Sequence, residues 1–181
     1  MRLAKLTTGG VTRTYCLLLF ASMLLPLRVN AQCDESLWQH VYNPQRLIVK
    51  LRCVTVSGTI VDATHGKRKD GLRHEADGDT HGWLRVDPQF RNLLNAGNLS
   101  DQGGNLVFEV ICKYRVAQED AKAACSGFQS SVAIPPIGSC VKITGSYVQD
   151  AEHARWMELH PVTKIERCSS DNSISSAEVA R

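Results

Sequence analysis

This sequence holds no apolar run long enough to cross a bilayer, no C-x-x-C thiol pair, no nucleophile elbow and no internal repeat. Each absence removes a class of protein. The apolar stretch Tyr15–Leu25 has eleven residues, whereas a spanning helix needs about 20. Without close thiolate pairs, a zinc finger or ribbon is excluded. Ser57, Ser139 and Ser146 lack the G-x-S-x-G context that exposes a nucleophilic serine on a strand-to-helix turn.

An excess of one charge is missing as well, once the chain is divided. The whole sequence has 21 Lys and Arg against 18 Asp and Glu, a net of +3. Arg2, Lys5, Arg13 and Arg28 all fall in residues 1–31, which hold no acid, so the remainder carries 17 against 18 and a net of −1. Global charge therefore provides no attraction to nucleic acid or anionic membrane.

What is present begins with that basic N-terminus. Arg2, Lys5 and Arg13 precede the apolar stretch, and Val29-Asn30-Ala31 follows with residues suited to cleavage, so residues 1–31 read as a signal peptide. Gln32 before Cys33 does not fit a lipoprotein signal. The expectation is cleavage near Ala31–Gln32 and a secreted product, extracellular or periplasmic, with no stable membrane anchor. Cys16 leaves with the signal, and Cys33, Cys53, Cys112, Cys125, Cys140 and Cys168 remain. Six cysteines in an oxidising compartment read as three disulfides, with 15 connectivities.

Residues 32–45 form a short lead-in, 46–168 one domain, and 169–181 a polar, serine-rich tail expected to be disordered. Within the domain, Leu47, Val49, Leu51 and Cys53 alternate with polar residues, and the phase changes near Gly58. The patterning predicts strands over 47–61, 80–87, 106–114, 140–149 and 156–166. The alanine-rich stretch predicts a helix over 117–125. Residues 89–105 read as a long connection, too rich in Asn and Gly for a core element. Glycines at 58 and 145 supply the bends that small barrels need. This β-β-β-α-β-β order predicts an all-β fold with one helix, the five-stranded Greek-key OB-fold barrel.

The segments Asp77-Gly78-Asp79-Thr80-His81 and Trp156-Met157-Glu158-Leu159-His160-Pro161-Val162, with Leu106–Cys112, Ala123-Ala124-Cys125 and Val141–Val148, resemble a largely uncharacterised family of small secreted OB-fold-like proteins. The similarity covers about residues 47–167. It implies the same fold and export, and brings no catalytic residue with it.

Strand order also suggests which cysteines meet. Cys112 ends the third strand and Cys125 the segment after it; Cys140 opens the fourth strand beside the end of the fifth, at Cys168; Cys33 then ties the lead-in to Cys53.

Ligands on an OB barrel lie across its second and third strands, between the first–second and fourth–fifth loops. Trp83 and Arg85 share the outward side of the second strand, flanked by Lys67, Arg68, Lys69, Arg73 and His74 in one loop and by His153, Arg155 and Trp156 at the other. Aromatic faces and cations suit stacked bases or sugars, although Asp70, Glu75, Asp77 and Asp79 neutralise those loop cations. The ligand-binding candidates are thus Trp83, Arg85, Lys67, Arg68, Arg155 and Trp156.

A second candidate is a divalent-metal site from Asp79, His81, Glu158 and His160, whose N/O donors suit zinc. Against it stands the spacing of about 9–10 Å across an intervening strand. Asn98-Leu99-Ser100 is a glycosylation sequon, usable only in a glycosylating host.

The leading functional reading is a monomeric, non-catalytic secreted binding module for a glycan or a single-stranded nucleic acid, needing no cofactor. The alternatives are a metal-dependent hydrolase using His81 and His160, and a purely structural extracellular domain.

Overall fold

A computed structural model describes residues 32–62 and 68–169. The expected signal peptide, Lys67 and the tail beyond Ser169 lie outside the described residues. Six strands follow one another: β1 (Leu47–Val61), β2 (Arg73–His74), β3 (Thr80–Val86), β4 (Leu106–Val110), β5 (Cys140–Asp150) and β6 (Met157–Arg167). Their β-branched and aromatic residues fit a pleated, half-buried surface.

Hydrogen-bonded neighbours run β1-β5-β6-β4-β3-β2, and a further β1–β3 pairing closes the first five into a barrel. Its pairings are antiparallel except β4 with β6. That is the Greek-key order of an OB-fold, with β2 as a two-residue addition in the first–second loop. Among the described residues, no helix is long and apolar enough to cross a membrane.

Closure depends on Gly58. At this residue β1 pairs with Val141 of β5 on one side and Val86 of β3 on the other. A Cβ here would fall 2.4 Å from the Arg85 carbonyl oxygen, so only glycine allows the approach. Gly145 plays a similar part in β5, where a Cβ would lie 2.7 Å from the Pro161 carbonyl oxygen, at a register irregularity.

Val56, Ile60, Leu84, Leu106, Phe108, Val110, Ile143 and Leu159 fill the barrel. The expected inward face of early β1 is only partly realised. Leu47 is buried, but Val49 and Leu51 are 45% and 48% exposed, because this half of β1 pairs with β5 alone. A second cluster joins Val41, Leu47, Ile111 and Val148 with Leu37, Trp38 and Phe128. Ile111 and Val148 alternate with core-facing Val110 and Tyr147, so this cluster lies on the outer face of the sheet. The lead-in is therefore part of the fold. The three bridges are Cys33–Cys53, Cys112–Cys125 and Cys140–Cys168, with Cα separations of 5.5, 5.5 and 5.4 Å. They match the pairing that strand order suggested.

Two local expectations need correction. The stretch 117–125 carries one 3-10 turn, Glu119–Ala121, followed by further turns. Helix propensity is a weak prior over so few residues, and here the amides of Ala117 and Gln118 donate to the Ala76 carbonyl instead. The α-helix among the described residues is α1, Ala96–Asp101, inside the expected long connection. Its Asn-rich sequence is a capping device: the Asn95 side chain accepts from the Asn98 amide, and the Asn98 side chain accepts from that of Asn95. Gly97 lets α1 press on residue 154, whose carbonyl oxygen would sit 2.3 Å from a Cβ.

Gly58→Ala should destabilise the protein by about 1–3 kcal/mol through this backbone collision. Urea unfolding reads it, and an unchanged midpoint would refute the role given to Gly58.

Candidate functional site

Three strands, β3, β4 and β6, lie side by side and turn Leu84, Phe108 and Leu159 into the barrel. Side chains alternate, so His81, Glu109 and His160 point to the other face. His81 is paired with Glu109 across β3–β4. The parallel register of Val107 with Glu158 and Phe108 with Leu159 brings Glu109 beside His160. The strand that separates the two histidines thus fills the gap between them with a carboxylate. Glu109 Oε1 lies 3.0 Å from His81 Nδ1, and Oε2 lies 3.0 Å from His160 Nδ1.

Around this row the polar groups are nearly all buried. Arg46 pairs with Asp150 and reaches Glu109 at 3.8 Å and Glu158 at 4.0 Å. Glu158 accepts from Trp156 Nε1–H at 2.8 Å and from His160 Nδ1–H at 3.1 Å. Asp79 accepts the Cys112 amide on Oδ1 at 2.7 Å. Its Oδ2 lies 3.9 Å from His160 Nε2, too far for a hydrogen bond. Asp79 Oδ2, His81 Nε2 and His160 Nε2 are buried with no hydrogen-bond partner among the described residues.

Such a cluster is electrostatically tense, since desolvation penalises every charge in it. Burial opposes a charge on His160, but Glu109, and after it Glu158, outweigh burial and push its pKa up to about 10. Burial likewise works against ionised Glu109, yet His160 holds its carboxyl well below the usual range. Asp79 goes the other way. Burial, reinforced by Asp77, raises it well above the ordinary carboxylate value.

Above the cluster opens a cleft of about 400 Å³ between the first–second loop and the fourth–fifth loop. Glu75, Asp77, Glu109 and Glu152 line it with Arg46, Arg73, Tyr42, Gln118, His153 and Trp156. Glu109 belongs to both the cleft and the cluster.

The expected stacking platform does not form. Trp83 is fully buried, its Nε1–H donates to Gln102 Oε1 at 2.9 Å, and its ring packs on His81. It faces outward as alternation required, but neighbouring elements cover it, so it cannot stack a ligand. Arg85 is exposed in a separate groove with Arg91, Leu94 and Leu99. Arg68 and Arg155 are exposed outside the cleft lining, and Lys67 is not among the described residues. Of that set only Trp156 lines the cleft, stacked on His153 at 5.4 Å.

Asp79, His81, Glu158 and His160 do share one cluster, with Glu109 at its centre. The donor atoms within 4.8 Å of one another, however, belong to Asp79, Glu109 and His160. Asn98 is unsuited to carry a glycan. It is completely buried, and its Nδ2 donates to the carbonyls of Asn105 and Met157.

Sequence reasoning missed Glu109, Arg46 and Asp150. A signal for Glu109 existed, a lone acid in an otherwise apolar strand. Arg46 and Asp150 carried none, because their pairing spans 104 residues.

No protein-family model matches this chain, and no curated protein is similar to it in sequence.

His160 contributes stability that is fully present below its unfolded pKa of 6.5 and is lost as pH rises through about 10. Wild-type stability should therefore fall across pH 6.5–10, and His160→Gln should flatten that fall. Chemical denaturation at a series of pH values checks it. An equally steep fall in the variant would remove His160 as the cause.

Proposed function

We propose that this protein is an exported OB-fold binding module that takes an uncharged, hydroxyl-rich ligand, an oligosaccharide, in the cleft between its first–second and fourth–fifth loops. Three disulfides support an oxidising compartment, and the N-terminal sequence supports export. The position of the cleft is that of ligands on this fold.

One observation carries the ligand class, the charge of the lining. Glu75, Asp77, Glu109 and Glu152 face two guanidinium groups, Arg46 and Arg73. Arg46 is already paired with Asp150, and Arg73 with Glu75 at 2.5 Å. A phosphate backbone needs unpaired cations and would meet carboxylates here. Sugar hydroxyls suit the same lining, because they donate to carboxylates while the partly exposed Tyr42 ring offers flat apolar surface.

The metal-dependent hydrolase using His81 and His160 remains as a second reading, favoured by the unpartnered Asp79 and His160 atoms. Chelator-sensitive release of reducing ends from a bound glycan would select it over simple binding.

A glycan array followed by calorimetry tests the module. Glu152→Gln removes the charge of an exposed lining residue. It should weaken the best glycan by about 1.5–3 kcal/mol if a charged hydrogen bond is lost. Salt-sensitive binding of oligonucleotides, with no glycan retained, would contradict the reading.

A further inference from the structure

Two buried side chains in the cluster aim unpartnered atoms at one another across a gap. His160 is 0% exposed and Asp79 2%, and neither His160 Nε2 nor Asp79 Oδ2 has a hydrogen-bond partner among the described residues. Burying a polar atom without a partner is costly, so such atoms call for an explanation. Their separation of 3.9 Å is too long for a direct hydrogen bond, yet it suits an ion lying about 2.0–2.2 Å from each.

The rest of each side chain is already held. Asp79 Oδ1 is fixed by the Cys112 amide. His160 Nδ1 is clamped by Glu109 and Glu158 at 3.0 and 3.1 Å, which leaves Nε2 as the ring's free donor atom. A ligating histidine commonly has its second nitrogen on a carboxylate, which orients the ring and raises its basicity. Glu158 is itself held by the Trp156 indole.

Charge points the same way. Among the described residues, Asp79, Glu109, Asp150 and Glu158 are each less than a tenth exposed, and Arg46 is the only Lys or Arg buried to that degree. Ligation through Nε2 displaces the His160 ring proton, and a dication then offsets the surplus of negative groups. The other close group of metal-type donors joins Asp79 to Cys112 and Cys125, but those sulfurs are tied up in a disulfide.

We propose that Asp79 and His160, through Oδ2 and Nε2, bind one divalent transition-metal ion of the zinc type beneath the cleft. Asp79, Glu109 and His160 form one close group of metal-type donors, in which Glu109 holds the far side of the His160 ring at Nδ1. A nitrogen with a carboxylate oxygen suits zinc rather than calcium or magnesium, which take oxygen ligands. Water completes the shell. Glu109, Glu158 and His81 stay outside it as positioning residues: Glu109 and Glu158 hold the His160 ring, and His81 touches Glu109.

The test is zinc binding by the full mature chain after chelator treatment, with no glycan present. Failure here therefore leaves the cleft reading untouched, and failure of the glycan screen leaves this one untouched. Calorimetry should find one saturable zinc site and a raised melting temperature. Asp79→Asn and His160→Gln should each weaken zinc at least about tenfold, while His74→Ala and His153→Ala, at histidines nearer the surface, should not. Cobalt provides a readout that needs no variant. Its paramagnetic shifts should centre on the His160 ring and the Cys112 amide. Absence of saturable binding, zinc affinity that depends on His74 or His153 instead, or cobalt shifts confined to those residues would overturn the proposal and leave the gap to a bridging water.

Discussion

The Glu109 carboxylate sits on the middle strand of three and reaches a histidine on each neighbour, 3.0 Å on either side. The other buried ionisable groups on this face, among the described residues, are arranged around that bridge. Arg46 comes from the start of the barrel domain to balance it, Glu158 shares His160 with it, and Asp79 and Asp150 complete the ring. Taking so many ionisable groups out of water is expensive, and attraction offsets the cost only where the geometry is complete. Replacement by well-packed apolar residues is often neutral or stabilising in such cases. Retention of this cluster in a small barrel therefore fits a role beyond stability.

The bridge also accounts for how the outer face is used. In an open OB barrel the equivalent strands would present side chains to solvent. Here the lead-in packs Leu37, Trp38 and Val41 over Ile111 and Val148, and Cys33–Cys53 secures its beginning to β1. The first–second loop brings Arg73 and Glu75 over His81. What remains open is a cleft reached between two loops, with Glu109 in its lining.

Much of the barrel was legible in the sequence because it rests on short-range signals. Apolar patterning, alternating in the first strand and continuous in the third, marked five strands, Gly58 and Gly145 marked bends, and strand order placed six cysteines in three pairs. The elements that were misread depend on long-range partners. Helix propensity in 117–125 was overridden by the Ala76 carbonyl and by the bridge from Cys125 to Cys112. The Asn- and Gly-rich run at 95–105 looked like a loop, yet those residue types supply the cap and the close approach that α1 requires. Alternation correctly placed Trp83 with the outward side chains. It could not show that Gln102, which caps the C-terminus of α1, accepts from its indole. The two histidines and Asp79 were recognisable as a set. Glu109 was not, because its partners lie 28 and 51 positions away on strands whose register only the closed barrel defines.

The central claim is that Glu109 is the electrostatic keystone of this face, and replacing it by an uncharged residue of the same shape tests that claim most directly. Glu109→Gln should unfold at lower urea, with a loss of about 3–5 kcal/mol, the range for removing one partner of a buried ion pair. A loss below about 1 kcal/mol, with the variant folded as the wild type, would show that the histidines and Arg46 do not depend on this carboxylate.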